Sequence, residues 1–552
     1  MLLLLKLSFV LALAPALLSC YRLAQNYSAA RKTGLSVVIS PFNPFNPLWI
    51  LTRPYINPLL SYLPFGLSEI TQYNYLGFTW RDQNRLHARY GKAYIIATPD
   101  ENHLVVGDVV GCDKILKHYR NWSKNNRFND PLNTFGCNLG TVDGEEWQKH
   151  RKVTAVAFNE RNNTLVWQES VKQAKQMLST WLSADIVETT VDDLNLLALH
   201  VLASAGFGTS YDFDSPLTMP ASEHTMSYRD ALTGIMKNIF ITYFAANAGL
   251  LTPVLPKTLR ATAEAVDEFR SYLLEMIKHE QAAYREGDRA EAANLMSSLV
   301  RASQAETQSD KANSRHSLTA SELAGNLYIY NVAGFDTTAG TLAYAIGLLA
   351  VNPTWQTWLR EEINTVAAED EIKGDQYQDI WPRLKRCLAI MHETLRVYAP
   401  LNAIPKHTNS TYQDLHLSTE ATHTIPPNTA VWVNNAAVQM DEAHWGSDVL
   451  EWRPDRWLDK STGDIIQPAN KEFLAWSAGP RVCPGKKFSQ VEFVATLACL
   501  FHKHRVAAEV RKGETGTEAR KRLLEVLRDS DMRLAMRINR PEKVRLKWEK
   551  VM

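Results

Sequence analysis

The chain has 552 residues, 45 % hydrophobic and 22 % charged, an ordinary balance for a packed globular protein. Its length suits two or three average domains or one large α-rich one. A net charge of +1 points to no polyanionic partner, so nucleic-acid binding is unsupported. Six cysteines (Cys20, Cys112, Cys137, Cys387, Cys483 and Cys499) are scattered without a C-x-x-C pair. That pattern argues against a disulfide framework or a zinc site and suits a reducing compartment.

The first segment, "MLLLLKLSFVLALAPALLSCYRL", is apolar from Leu2 to Leu18 except for Lys6. It reads either as a cleaved secretory signal or as a retained membrane anchor of borderline length. Arg22, Arg31 and Lys32 after the run, together with the unpaired cysteines, favour the anchor. Four sequons, at Asn26, Asn121, Asn162 and Asn409, would be idle on a cytosolic domain. Residues 41–66, "PFNPFNPLWILTRPYINPLLSYLPFG", carry prolines that forbid a long helix. They read as a proline-rich linker that packs on the core or touches a membrane surface.

Residues 90–117 hold two β-like runs, "AYIIATP" and "HLVVGD", followed by a helical pattern. Most of 145–300 reads as helices, and 302–316 as a polar surface loop. Thr319 and Glu322 then form a Thr-x-x-Glu capping box before an apolar run that Pro353 closes. This helix exceeds thirty residues and is apolar on nearly every face, so it is expected to be buried through the middle of the molecule. A membrane span competes with that reading, but Asp336 in "GFDTTAG" argues against it.

Within that helix, "AGFDTT" (333–338) places Ala333 and Gly334 before Asp336 and Thr337. The small residues clear one face for a bulky group, and a threonine hydroxyl can bond to the carbonyl four residues earlier. A kinked core helix with a satisfied Asp explains the same residues. "ETLR" puts Glu393 and Arg396 on one helical face, and "WRPDRW" adds Arg456; a carboxylate clamped by two guanidinium groups would be a structural lock. "WQKHR" places Trp147 and Arg151 together, either as an amphipathic helix end or as a clamp on an anionic ligand.

In "WSAGPRVCPG" (476–485), Cys483 sits in a loop of two glycines and two prolines. A nucleophilic cysteine needs a nearby base and room for substrate, and no local motif supplies a base. A thiolate fixed by Gly479 and Gly485, with Arg481 answering a negative group on a cofactor, suits axial ligation of haem iron.

This loop resembles the haem-binding loop of the cytochrome P-450 family, Phe-x-x-Gly-x-Arg-x-Cys-x-Gly, with Trp476 in the phenylalanine position. "AGFDTT" resembles the family's oxygen-activation motif, "ETLR" with Arg456 its Glu-x-x-Arg set, and "WQKHR" its Trp-x-x-x-Arg. In "NAIPKHT", Lys406 stands where the family often has arginine, so a point charge replaces a planar fork. The motifs follow family order and spacing over about residues 90–505.

The resemblance implies a mainly α fold with a small β-rich lobe, the cytochrome P-450-like fold. It divides the chain into an anchor and flank at 1–32, a linker at 33–66 and a haem-thiolate catalytic domain at 67–552. It implies haem (heme b) with Cys483 as iron ligand, and cofactor contacts from Trp147, Arg151, Ala333, Gly334, Lys406, Trp476, Gly479, Arg481 and Gly485. Asp336 and Thr337 become the catalytic acid–alcohol pair. It also implies O2, an apolar small-molecule substrate, and NADPH electrons through a separate flavoprotein reductase. Lys149, His150, Arg151, Lys152, Lys486 and Lys487 are candidate docking charges for that reductase. The N-terminus resembles that of microsomal fungal members, which implies a single-pass endoplasmic reticulum protein facing the cytosol and a role in secondary metabolism. Two alternatives stand beside this reading: a reductase-independent haem-thiolate isomerase or dehydratase, and a non-enzymatic membrane glycoprotein.

Overall fold

The computed structural model describes all residues but 1, 45, 61, 63–66, 76, 125–129, 215–223, 248, 250–255, 287–293, 310–316, 368–370, 468–470, 533 and 552. The side chains of 2–13, 47, 48, 50, 51, 67–69, 130, 131, 240, 243, 244 and 305–309 also lie outside the description. The chain is mostly helical, with small sheets, and divides into two units.

The first unit comprises Met1–Asn125, Leu401–Trp452 and Gln467–Cys483. Its centre is a five-stranded sheet in the order β1 (Ser36–Ile39), β2 (Ala93–Ala97), β3 (Asn102–Val106), β7 (Thr429–Asn434), β4 (Ala403–His407). The β2–β3 and β4–β7 pairs are antiparallel, while β1–β2 and β3–β7 are parallel. Every residue of β2, β3 and β7 is buried, as expected for strands covered on both faces. The side-chain period of two sorts them. Ile95, Leu104, Val106, Val431 and Val433 join Cys112, Ile115 and Leu116 of the helix Val109–Lys117 in one cluster. Tyr94, Ile96, Val105 and Trp432 join Tyr73, Phe78 and Leu86 in another. The first cluster also holds Leu474 and Ala478, and so seats the start of the Cys483 loop. A small hairpin of β5 (Gln413–His416) and β6 (Thr422–Ile425) completes the strands of this unit.

The 41–66 segment departs from expectation. Pro47–Leu60 is helical, with Pro54 and Pro58 inside. Each proline forfeits a backbone hydrogen bond, but tertiary contacts hold the helix start. Trp49 stacks on Phe42 at 3.8 Å between ring centroids and donates its indole N–H to the Asn74 carbonyl at 2.7 Å. Asn57 pairs with Asn74 through their side-chain amides. The backbone of Leu2–Arg31 is one helix, but most of the apolar run expected as an anchor has side chains outside the described residues.

The second unit comprises Asn126–Pro400, Arg453–Ile466 and Pro484–Met552. Its axis is the helix Ala320–Val351, opened by the expected capping box between Thr319 and Glu322. Helices Thr190–Phe207, Lys257–Arg285, Lys385–Val397, Lys486–Phe501 and Gly516–Arg528 pack around it. Among the described residues it is the one helix long and apolar enough to cross a membrane, and most of its apolar window is buried in the protein. The buried-core reading therefore accounts for its composition. Gly325 on this helix has a packing reason: a Cβ there would stand 2.4 Å from the Gly136 carbonyl oxygen. Strand pairs β8 (His504–Ala508) with β11 (Leu546–Lys550), and β9 (Ser530–Met532) with β10 (Met536–Ile538), lie at the C-terminal end.

Part of the expected 302–316 loop is helix, since Leu295–Ser309 runs through it, and 310–316 lie outside the described residues. Its polar composition concealed a buried anchor: Ser303 exchanges hydrogen bonds with the Leu318 backbone. Of the four sequons, Asn162 is closed to modification. It is fully buried and donates its amide to the Ala205 carbonyl at 2.7 Å.

Candidate active site

In the first unit, Cys483 ends a loop built on tight turns. Gly479 has φ +68°, and a Cβ there would stand 2.8 Å from the Leu116 carbonyl oxygen. Only glycine fits both the angle and the approach. Ser477 shares the left-handed region at φ 63°, a strained choice the motif did not foreshadow. The Cys483 N–H donates to the Trp476 carbonyl at 2.9 Å, and the Val482 N–H to the Gly479 carbonyl at 3.1 Å. Trp476 meets Phe473 edge-on at 5.8 Å, and the Arg481 guanidinium lies over the Tyr119 ring at 5.5 Å. Gly485, which opens the helix Lys486–Phe501 in the second unit, has φ −81°, so its backbone angle does not demand glycine. Lys406 on β4 is buried, at 1 % exposure.

Burial separates the thiols. Cys112, Cys387 and Cys499 are buried, and desolvation pushes the first two far up and Cys499 up to about 12. None of the three is available as a thiolate near neutral pH. Cys483 is exposed.

In the second unit, the long helix is buried on most sides, but Ala333 is exposed and Gly334 and Thr337 are half-buried. The Thr337 hydroxyl donates to the Ala333 carbonyl at 2.7 Å, and the Thr341 hydroxyl to the Thr337 carbonyl at 2.8 Å. The Thr337 proton is thus committed to the backbone, leaving its oxygen as an acceptor beside the Ala333 notch. A Cβ on Gly334 would meet Leu202 of the helix Thr190–Phe207 at 3.5 Å, an ordinary contact, so packing there does not demand glycine. Asp336 is 7 % exposed and pairs with Arg537 on β10, at 2.9 Å (Oδ1–Nη2) and 3.3 Å (Oδ2–Nε). Nothing in the motif foretold Arg537, which lies 201 residues away in sequence.

Trp147 is buried and Arg151 half-buried on the helix Gly144–Ala155. Between them, Lys149 reaches Glu322 at 2.6 Å and Glu146 at 3.3 Å. The Asn326 amide meets His150 Nδ1 at 2.9 Å, and its carbonyl oxygen accepts from the Leu139 N–H. These bonds fasten the Trp147–Arg151 helix to the start of the long helix. Burial would raise Glu322, but hydrogen bonds from Lys149 and from the Thr319 backbone and hydroxyl hold it down to about 2. Burial lowers His150 against the pull of Asn326 and Glu322. Glu146, His150 and Glu322 are close enough to hold a cation, and the Lys149 ammonium is the cation there. Lys149 and His150 therefore drop out of the expected docking patch, since one is engaged and the other buried. Lys487 stacks on Trp381 at 3.1 Å, and Lys152 is exposed.

The expected lock is present and fuller than expected. Glu393 is fully buried. It accepts from Arg396 Nε and Nη2 at 2.9 Å each, Arg456 Nε at 3.1 Å, the Arg453 N–H at 2.8 Å and the Trp457 indole at 2.9 Å. The sequence pointed to the arginines but not to the indole.

The residues fit a haem-thiolate group. Cys483 is exposed on a backbone-fixed loop, and Ala333 is exposed in the middle of a largely buried helix. Among the described residues, the half-buried Arg151 guanidinium makes no ion pair, as suits a propionate ligand.

Comparison with known proteins agrees. A family model described as "Cytochrome P450" matches residues 67–525. A cytochrome P450 monooxygenase of Arthrobotrys oligospora is 26 % identical over 95 % of each chain. Cytochrome P450 monooxygenase 124 of Postia placenta is 32 % identical over 71 % of this chain and 74 % of its own. The phomenoic acid biosynthesis cluster cytochrome P450 monooxygenase of Leptosphaeria maculans is 27 % identical over 90 % of each. With an exposed thiol on the matching loop and a family match across most of its length, this chain belongs to the cytochrome P-450 family.

Proposed function

We propose that the chain is a membrane-anchored monooxygenase that takes electrons from NADPH through a separate flavoprotein reductase and hydroxylates an apolar small molecule. The apolar N-terminal run supports an endoplasmic reticulum anchor with the catalytic domain in the cytosol. The Leptosphaeria maculans relative, named for a biosynthetic cluster, supports a role in secondary metabolism. The observation that carries an oxygenase over a reductase-independent isomerase or dehydratase is the Asp336–Thr337 pair beside the exposed Ala333.

When bound, haem ligated by the Cys483 thiolate supplies O2 activation, and the thiolate's electron donation favours O–O cleavage. On this reading Trp147, Arg151, Lys406 and Arg481 would hold its propionates by charge and hydrogen bonds. Trp476, Gly479 and Gly485 would shape the loop that presents the sulfur, and the small Ala333, exposed beside Gly334, would leave room for the group. Thr337 accepts a hydrogen bond from a water and fixes its position. Asp336 is the proton source for that water, and it delivers only when its pair with Arg537 opens. Lys152, Lys486 and Lys487 steer the acidic face of the reductase.

Thr337→Ala tests this reading. It removes the acceptor without touching the fold, so NADPH oxidation by the reconstituted system should continue while the share of electrons lost as peroxide rises several-fold. Unchanged coupling, or product formed without NADPH and reductase, overturns the proposal.

A further inference from the structure

On the flank of the long helix that carries Asp336, Gly340 and Ala343, the second unit forms a half-open cavity of about 350 Å³. That lies near the lower end of the roughly 300–1,000 Å³ of small-molecule sites. Leu196 and Leu199 of the helix Thr190–Phe207 and Met236 of the helix Tyr228–Lys237 supply apolar walls. Five charged side chains line it: Asp192, Arg229, Lys237, Asp336 and Arg537. Asp336 and Arg537 neutralise each other. Asp192 and Lys237 are exposed, so water screens them.

Arg229 remains. It is half-buried and, among the described residues, makes no hydrogen bond or ion pair. A half-buried guanidinium gives up part of its hydration without an answering anion, an arrangement that a ligand corrects. Arg229 presents a planar donor fork that matches a carboxylate.

We infer that this cavity is an accessory binding site for a small amphipathic carboxylic acid, its carboxylate on Arg229 and its apolar body against Leu196, Leu199 and Met236. Binding there requires no turnover to be detected.

The test is calorimetric titration of the haem-loaded full chain at neutral pH with 4-phenylbutyrate and its neutral analogue 4-phenylbutyramide. These probes are soluble enough to avoid partition into detergent. The acid should bind more tightly than the amide. Arg229→Gln should weaken the acid about tenfold or more, in line with a lost charge-assisted bond, and leave the amide unchanged. Arg229→Lys should keep part of the preference, and Thr233→Phe, which fills the cavity from its wall, should abolish binding of both. Failure of wild type to bind the acid, equal binding of acid and amide, or wild-type affinity in Arg229→Gln would each overturn the inference.

Discussion

Replacing Gly479 with alanine asks whether the Cys483 loop is held by backbone geometry. The residue sits at φ +68°. Placing an L side chain in that region costs about 1–2 kcal/mol. The new methyl would also stand 2.8 Å from the Leu116 carbonyl oxygen and 3.2 Å from Lys117 Cα. Both are backbone atoms of the helix Val109–Lys117, whose Ile115 and Leu116 are buried, so they do not yield as a flexible side chain would. Relief by overpacking costs about 1–3 kcal/mol more. The sum, roughly 2–5 kcal/mol, is released if the loop shifts and gives up the Val482–Gly479 and Cys483–Trp476 backbone bonds. The strain therefore falls on sulfur placement more than on the fold. Gly479→Ala should accumulate as folded protein with native far-ultraviolet dichroism but retain a small fraction of wild-type haem, measured per polypeptide after extraction. Full haem occupancy with an unchanged unfolding midpoint would refute the reasoning. Gly485→Ala is the control, because φ −81° suits any residue, and it should lose less.

Two further outcomes follow from the second unit. Glu393→Gln keeps the shape of the side chain but leaves Arg396 and Arg456 as buried cations without their carboxylate, a loss of about 3–5 kcal/mol or more. Against a usual stability of about 5–15 kcal/mol this should lower the urea midpoint steeply, and a midpoint near wild type would contradict the lock. Glu322, held at about 2 against an ordinary 4.5, contributes stability that is fully present above pH 4.5 and is lost as pH falls towards 2. Allowing for solvent screening, its share is about 1–2 kcal/mol. The difference in melting temperature between wild type and Glu322→Gln should therefore shrink between pH 5 and pH 3, and a constant difference would rule out this linkage.

Much of the site was legible because its chemistry is local in sequence. Cys483 and Gly479 lie four residues apart, Thr319 and Glu322 three apart, and Glu393 and Arg396 three apart, so backbone geometry alone brings each pair together. Arg537 and Trp457 were not legible, because only tertiary packing brings them to Asp336 and Glu393. Composition misled where packing overrode propensity. The prolines of 41–66 hid a helix anchored by Trp49, and the polar 302–309 stretch hid a helix anchored at Ser303. Lys149 and His150 read as surface charge because sequence does not reveal that Glu322 and Asn326 lie above them.

The most direct test is the reduced carbon monoxide difference spectrum of the purified wild type beside Cys483→Ser. Wild type should show the strongly red-shifted Soret band of a thiolate-ligated haem, and the serine variant should lose that band together with oxidation activity. A histidine-type Soret position in wild type, or an unaltered band in the variant, would contradict sulfur ligation from position 483.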